Sequence, residues 1–345
     1  MNINELFKKA TESNASDLHI IVGRPPILRI DGELKIIHNM EIITRPIAEK
    51  LILSIITEKQ KTTFYEEREL DISYEITGFS RYRVNLHWEK DNMGLVARVI
   101  SSKIPTMQDL GLPPVAEHLI TQTKGLVLVT GPTGCGKSTT LAAMIEKING
   151  MRFANIITLE DPIEFIFKPN KSIIKQRQLG TDMIAFHDSL KHVLRQDPNV
   201  IMVGEMRDLE TIAATITLAE TGHLVLATLH THNAAQTIDR IIDVFPPHQQ
   251  AQVRLQLSMS LSGVISQRLL PRTGGGRAAA REILINNPAV ANIIRENKIP
   301  QIKTIIQTGA ELGMFTMDQN IRELLTQGII DEATAMAHMV DVQQK

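Results

Sequence analysis

From Gly125 onward the chain carries short, wholly apolar runs rich in β-branched residues: LVLV (Leu126–Val129), NIITL (Asn155–Leu159), NVIMV (Asn199–Val203) and HLVLAT (His223–Thr228). Helically periodic segments separate them. Runs without polar alternation predict strands covered on both faces, and the strand–helix rhythm predicts a parallel sheet. The pattern before Gly125 differs. Ile3 to Thr11 has helical spacing, and Asp17 to Val22 alternates. ILRI and ELKII flank Asp31-Gly32, a hairpin signal because both turn positions favour positive φ. Ile47 to Ile56 again reads as helix. Glu69–Ile76 and Arg81–Leu86 read as strands paired around Thr77-Gly78, and Gly94–Ile100 as a further strand.

This first region mixes strands and helices without a βαβ rhythm, so it is expected to be a separate α+β domain, residues 1–104. Pro105, Gly111, Pro113 and Pro114 interrupt regular structure and mark 105–124 as a linker. A nucleotide-binding domain is expected over 125–345. Within it Thr273–Gly276 reads as a flexible loop, and the helical segments from about 286 read as a C-terminal subdomain.

Composition narrows the class. With 345 residues the chain can hold two cores. Lys plus Arg number 37 and Asp plus Glu 38, a net charge of −1 that gives no bulk attraction to nucleic acid or acidic lipid. No apolar run approaches the roughly 18 residues that cross a bilayer. The N-terminus lacks the basic start and apolar block of a signal peptide, so a cytosolic location is expected. A single cysteine, Cys135, excludes an internal disulfide and a multi-cysteine zinc site.

The chemistry concentrates in GPTGCGKSTT, between the LVLV strand and a helical segment. Gly131-x4-Gly136-Lys137-Ser138 is the phosphate-loop pattern in the context it requires. Gly131, Gly134 and Gly136 let backbone N–H groups curl around phosphate oxygens, and the helix N-terminus adds a favourable dipole. Lys137 offers a charge to the β- and γ-phosphates, and Ser138 a hydroxyl to Mg²⁺. Pro132, Thr133, Cys135 and Thr139 complete the nucleotide-contacting stretch. Cys135 has no base or orienting group in view and reads as packing. ATP and Mg²⁺ are the expected ligands.

Such a loop needs a carboxylate at the end of a neighbouring strand, for metal and attacking water. NVIMV ends in Gly204-Glu205, and NIITL in Glu160-Asp161-Pro162-Ile163-Glu164. Both clusters should lie at the carboxyl edge of the sheet, although acids after strands also cap helices. His223 opens and His230 closes a buried strand. An imidazole at its end can sense the γ-phosphate, and a satisfied core histidine is the alternative for both. Arg195 and Arg207 flank the NVIMV strand and are candidates for lining the same site or for locking the interface.

The ordered set GPTGCGKST, TLEDPIEF, LRQDPNVIMVGEMRDLETI and TGHLVLATLHT resembles the Walker A, Asp-box, Walker B and His-box segments of the type II secretion and type IV pilus ATPases. ASDLHI, RIDGEL, RYRVN, DVFPPHQQ, SQRLL, GGGRAAAREILI and QTGAELGMFTMD extend the resemblance to the pilus retraction ATPases, over nearly the whole chain. The resemblance implies an α/β RecA-like P-loop NTPase domain behind a smaller PAS-like α+β domain. It also implies a homohexamer with ATP between the two domains. It makes Glu205 the catalytic glutamate, Glu164 an Asp-box acid near metal or water, and His230 the residue facing the γ-phosphate. The arginines that reach across to the nucleotide fall on Arg83 and Arg98, with Arg81 nearby. Cross-strand ion pairing is the alternative role for such arginines.

The implied work is pilus retraction through an inner-membrane platform protein, at the cytoplasmic face of that membrane. An accessory retraction or a pilus-assembly or type II secretion ATPase is the alternative. Assembly relatives typically carry an extra N-terminal region and often a four-cysteine metal site; with one cysteine and a start at the PAS-like domain, retraction is the expectation. A nucleic-acid motor would show stacking aromatics and a basic channel, against 4% aromatic residues and one Trp. Two departures stand out: Cys135 replaces the usual serine, and Ala291 the central arginine of the retraction motif, here AVANIIRE.

Overall fold

The computed structural model describes residues 1–30, 32–77, 79–100 and 104–339. Asp31 and Gly78 of the two expected turns lie outside these, as do residues 101–103 and 340–345. Two compact units emerge: Met1–Lys103 with Glu164–Ile166, and Ile104–Ile163 with Phe167–Lys345.

The first unit begins with α1 (Ile3–Glu12), capped by Asn2, whose side chain accepts Asn4 N–H. Ile3, Leu6, Phe7 and Ala10 form its buried stripe. Then come β1 (Asp17–Ile20), β2 (Ile27–Ile30), β3 (Glu33–Ile36), α2 (Arg45–Leu53), α3 (Glu58–Glu67), β4 (Glu69–Ile76), β5 (Ser80–Glu89) and β6 (Asn92–Ile100). The strands form one antiparallel sheet in the order β3-β2-β1-β6-β5-β4. Leu18, Ile20, Tyr82, Val84, Leu86, Leu95 and Ala97 alternate onto the buried face. There the Phe7 and Tyr82 rings stack 4.5 Å apart. α3 escapes the periodicity reading because only Phe64 of its ten residues is buried. Its signal is the capping box of Thr57 and Gln60.

The second unit opens with α4 (Pro114–Thr121), within the segment expected as a linker. Ala116, Leu119 and Ile120 are fully buried, and the segment clusters with this unit. The preceding turn is also held: Arg281 donates to Gly111 O at 2.9 Å and Leu110 O at 2.7 Å. Burial pushes the Arg281 guanidinium down to about 10.

β7 (Gly125–Thr130), α5 (Lys137–Met151), β8 (Asn155–Glu160), β9 (Ile173–Gln178), α6 (Phe186–Val193), β10 (Val200–Val203), α7 (Leu209–Glu220), β11 (Leu224–Leu229) and α8 (Ala234–Asp243) follow. They lead to α9 (Pro247–Ser260) and the hairpin β12 (Leu261–Pro271) and β13 (Arg277–Ile285). The sheet runs β13-β12-β7-β11-β10-β8-β9, parallel from β12 to β9, with β13 antiparallel. Every residue of β7, β10 and β11 is buried, the basis of their unbroken apolar runs. The Thr273–Gly276 loop closes the β12–β13 hairpin through Arg272 N–H to Gly276 O, 3.2 Å.

The helices α10 (Pro288–Arg295), α11 (Ile302–Thr308), α12 (Met317–Thr326) and α13 (Glu332–His338) do not form one separate body. Val290, Ile294, Ile302 and Ile306 join the main core, whereas Met317, Ile321 and Ala335 pack with Leu270 and Ala280 in a satellite cluster. No helix among the described residues is long and apolar enough to cross a membrane.

The burial of α4 is testable. Leu119→Ala should cost about 2–5 kcal/mol by leaving a cavity in a core that cannot fully collapse, read as a lower denaturation midpoint. An unchanged midpoint would return the segment to the status of a linker.

Candidate active site at the phosphate loop

In a parallel sheet every strand ends at the same edge. Here the carboxyl ends of β7, β11, β10 and β8 carry the loop 131–136, His230, Gly204-Glu205 and Glu160-Asp161. β11 lies between β7 and β10, which places His230 between the phosphate loop and Glu205. Its Nε2 is 2.9 Å from Glu205 Oε1, and its Nδ1 is 3.4 Å from Thr133 Oγ1. The other carboxylate oxygen of Glu205 accepts Arg207 Nε at 2.9 Å, and Arg207 Nη1 lies 3.5 Å from Asp161 Oδ2. Thr133, His230, Glu205, Arg207 and Asp161 therefore form one continuous polar chain. Thr228 Oγ1 donates to Gly204 O at 2.5 Å and ties β11 to the turn that presents Glu205.

The loop's backbone demands glycine. Gly131, Gly134 and Gly136 have φ of 144°, 78° and 89°, and Gly136 is the N-cap of α5. A Cβ on Gly131 would collide with Gln267 O and lie 2.6 Å from Cys135 Sγ. Lys137 is buried, its Nζ donating to Gly131 O at 2.9 Å and Pro132 O at 3.1 Å. Ser138 and Thr139 follow it in the first turn of α5. Burial raises the Cys135 thiol, against a weaker pull from Lys137, so this cysteine is no nucleophile.

Two buried residues that the sequence reading quoted only within SQRLL, without a role, hold this loop. Gln267 on β12 donates from Nε2 to Cys135 O at 2.8 Å and accepts Thr140 Oγ1 at 2.9 Å. Ser266, beside it, lies 2.9 Å from Thr130 Oγ1. Their signal was faint: two polar residues inside the apolar stretch LSGVISQRLL.

Other expected residues lie apart. His223 precedes β11, at the opposite end of the strand from His230, and six residues of strand separate the two by roughly 20 Å. Its Nδ1 sits 3.0 Å from Leu218 O, a local structural bond. Arg195 precedes β10 and is exposed at that same amino edge. Neither is brought to the phosphate loop, because both precede the strands that run toward it. Glu160 is buried, its Oε1 taken by Thr158 Oγ1 (2.6 Å) and Gln176 Nε2 (3.1 Å), which makes it a tie between β8 and β9. Glu164 is exposed and clusters with the first unit. Among the described residues no group of three or more His, Cys, Asp or Glu converges as a metal cage.

In the first unit Arg83 and Arg98 are direct cross-strand partners, and Arg98 also faces Asp17. Arg98 Nε bonds Asp17 Oδ1 at 3.1 Å while most of its side chain stays exposed. Among the described residues Arg83 pairs with no carboxylate. Arg81, two residues along the same face, donates from Nε to Ser73 Oγ at 2.5 Å. Like charges directly opposite on neighbouring strands are unfavourable, which marks this face as a cationic surface.

A phosphate loop on a buried parallel strand, with one strand interposed before the strand of the carboxylate, defines a P-loop ATPase. Comparisons with known proteins agree. A family model described as "Type II/IV secretion system protein" matches residues 1–328. The type IV pilus retractation ATPase PilT of Pseudomonas aeruginosa is 47% identical over 335 residues, 97% of each chain. The type IV pilus ATPase PilU of the same organism is 38% identical over 343 residues, 98% of this chain and 88% of that one. The crystal structure of the pilus retraction motor PilT with bound ADP matches with a TM-score of 0.94 at 44% identity, covering 100% of this chain and 99% of that one. The chain belongs to the type II/IV secretion system protein family.

Gln267→Leu removes both bonds that hold the loop and its helix. Leaving Cys135 O and Thr140 Oγ1 unsatisfied should cost about 1–3 kcal/mol and weaken binding of a fluorescent ADP analogue. A variant as stable and as avid as the parent would show that the loop holds its own shape.

Proposed function

We propose that the chain is an ATPase motor that powers type IV pilus retraction. The observation that carries this reading is the polar chain from Thr133 through His230 to Glu205 beside a complete phosphate loop. It occurs in a protein similar over its whole length to pilus retraction ATPases.

The backbone N–H groups of Gly131 to Ser138 and the α5 N-terminus receive the phosphates, and Lys137 swings from its loop carbonyls to their charge. Oxygen donors fit Mg²⁺, which takes one or two protein ligands and keeps waters and phosphate oxygens for the rest. Ser138 and Glu205 would hold it, and the ion would neutralise charge on the phosphate oxygens. Glu205 orients and deprotonates the attacking water. His230 and Arg207, each on a different carboxylate oxygen, fix the plane in which that proton is accepted. Asp161 steadies Arg207. Arg83 and Arg98, assisted by Arg81, provide cations for charge developing on the γ-phosphate, for which the planar guanidinium is suited.

The assembly is a homohexamer in which turnover moves the N-terminal unit against the ATPase unit. It acts at the cytoplasmic face of the inner membrane on a platform protein of the pilus. These three statements rest on the family resemblance.

Two assays separate binding from chemistry. Lys137→Ala should abolish nucleotide binding, whereas Glu205→Ala should retain it and lose about 10²–10⁴-fold in ATP hydrolysis, the range for a positioned base. Equal hydrolysis by Glu205→Ala and parent would remove Glu205 from the mechanism. Deleting the gene should leave cells over-piliated and unable to move on surfaces, and bald cells would point to assembly instead.

A further inference from the structure

Glu282 lies on β13, buried at 8% exposure and directly opposite Ser266 of β12. Its Oε1 accepts Ala234 N–H at 2.9 Å. Ala234 is the first residue of α8. First-turn N–H groups have no partner within their own helix. The carboxylate thus closes the N-terminus of α8, where the dipole favours its charge. Lys303 on α11 and Asp318 on α12 are the charged groups around it, and burial pushes its carboxyl upward.

The position of α8 bears on the site. Only residues 230–233 separate β11 from α8, so the His230 loop is fixed at one end by the sheet and at the other by Ala234. The phosphate loop is held by the same hairpin, through Ser266 to Thr130 and Gln267 to Cys135. Both halves of the polar chain are therefore referenced to the β12–β13 hairpin. One half is the Thr133 side and the other the His230 side.

We propose that Glu282 is a positioning residue for ATP hydrolysis, setting His230 against Glu205 and Thr133 by holding the N-terminus of α8. The proposal rests on the roles of His230 and Glu205 given above.

The test uses the full chain and two substitutions that break the bond from opposite sides. Glu282→Leu keeps roughly the volume and removes the acceptor that Ala234 N–H uses. Ala234→Pro deletes the donor at a first helical position, where proline fits, after the extended Asn233 (φ −151°, ψ 169°). In each, ADP-analogue affinity and KM should stay within about twofold of the parent while kcat falls roughly tenfold, as for misplacement remote from the chemistry. In a His230→Ala background Glu282→Leu should add no further loss, because the pathway it serves is already gone.

An unchanged kcat in a folded variant overturns the proposal, as do losses that multiply in the double variant. So does loss of thermal stability and affinity with kcat intact, the mark of a plain helix cap. If Glu282→Leu does not fold, Ala234→Pro carries the comparison. A parent whose ATPase is indifferent to His230→Ala overturns the functional reading itself, and this proposal with it. That outcome is distinct from a His230-dependent enzyme indifferent to Glu282.

Discussion

The site depends on one carboxylate being held from two sides. Glu205 follows a four-residue strand and is only partly buried, so its side chain would otherwise sample several rotamers. His230 fixes one oxygen and Arg207 the other. Each partner is itself tethered, His230 by Thr133 of the phosphate loop and Arg207 by Asp161 of β8. A single imidazole therefore links the phosphate loop to this carboxylate.

What makes that arrangement rigid is the layer behind it. The strands β7, β10 and β11 are apolar throughout and set the height of every residue at their carboxyl ends. The β12–β13 hairpin then grips the loops from the side, through Ser266, Gln267 and Glu282. Buried polar groups in such a layer are costly unless fully bonded. Gln267 meets this demand by donating to Cys135 O and accepting from Thr140. The first unit contributes differently, with an exposed row in which Arg83 faces Arg98 and Asp17 offsets only one of them. It resembles a surface kept cationic for a ligand more than one arranged for its own stability.

Much of this was legible before any coordinates, for a physical reason: strands buried on both faces cannot hide their composition. LVLV, NIITL, NVIMV and HLVLAT all became core strands, and the phosphate loop fell between β7 and α5. The misses are equally physical. β9 reads IIKQRQ because it is a half-exposed edge, so no apolar run announced it. α4 was masked by the prolines that begin it, which suit a helix N-terminus as well as a break. His223 and Arg195 were placed at the site although both precede strands that run toward it, and strand direction alone puts them at the far edge. Glu282 and Gln267 could not be found from local pattern, because their partners lie 48 and 132 residues away.

The most direct measurement is the structure of the chain with a non-hydrolysable ATP analogue and Mg²⁺. The account requires the γ-phosphate in the loop from Gly131 to Ser138, a single water between it and Glu205, and His230 still on that carboxylate. A γ-phosphate whose nearest carboxylate is another acid, with Glu205 turned away from it, would contradict the account.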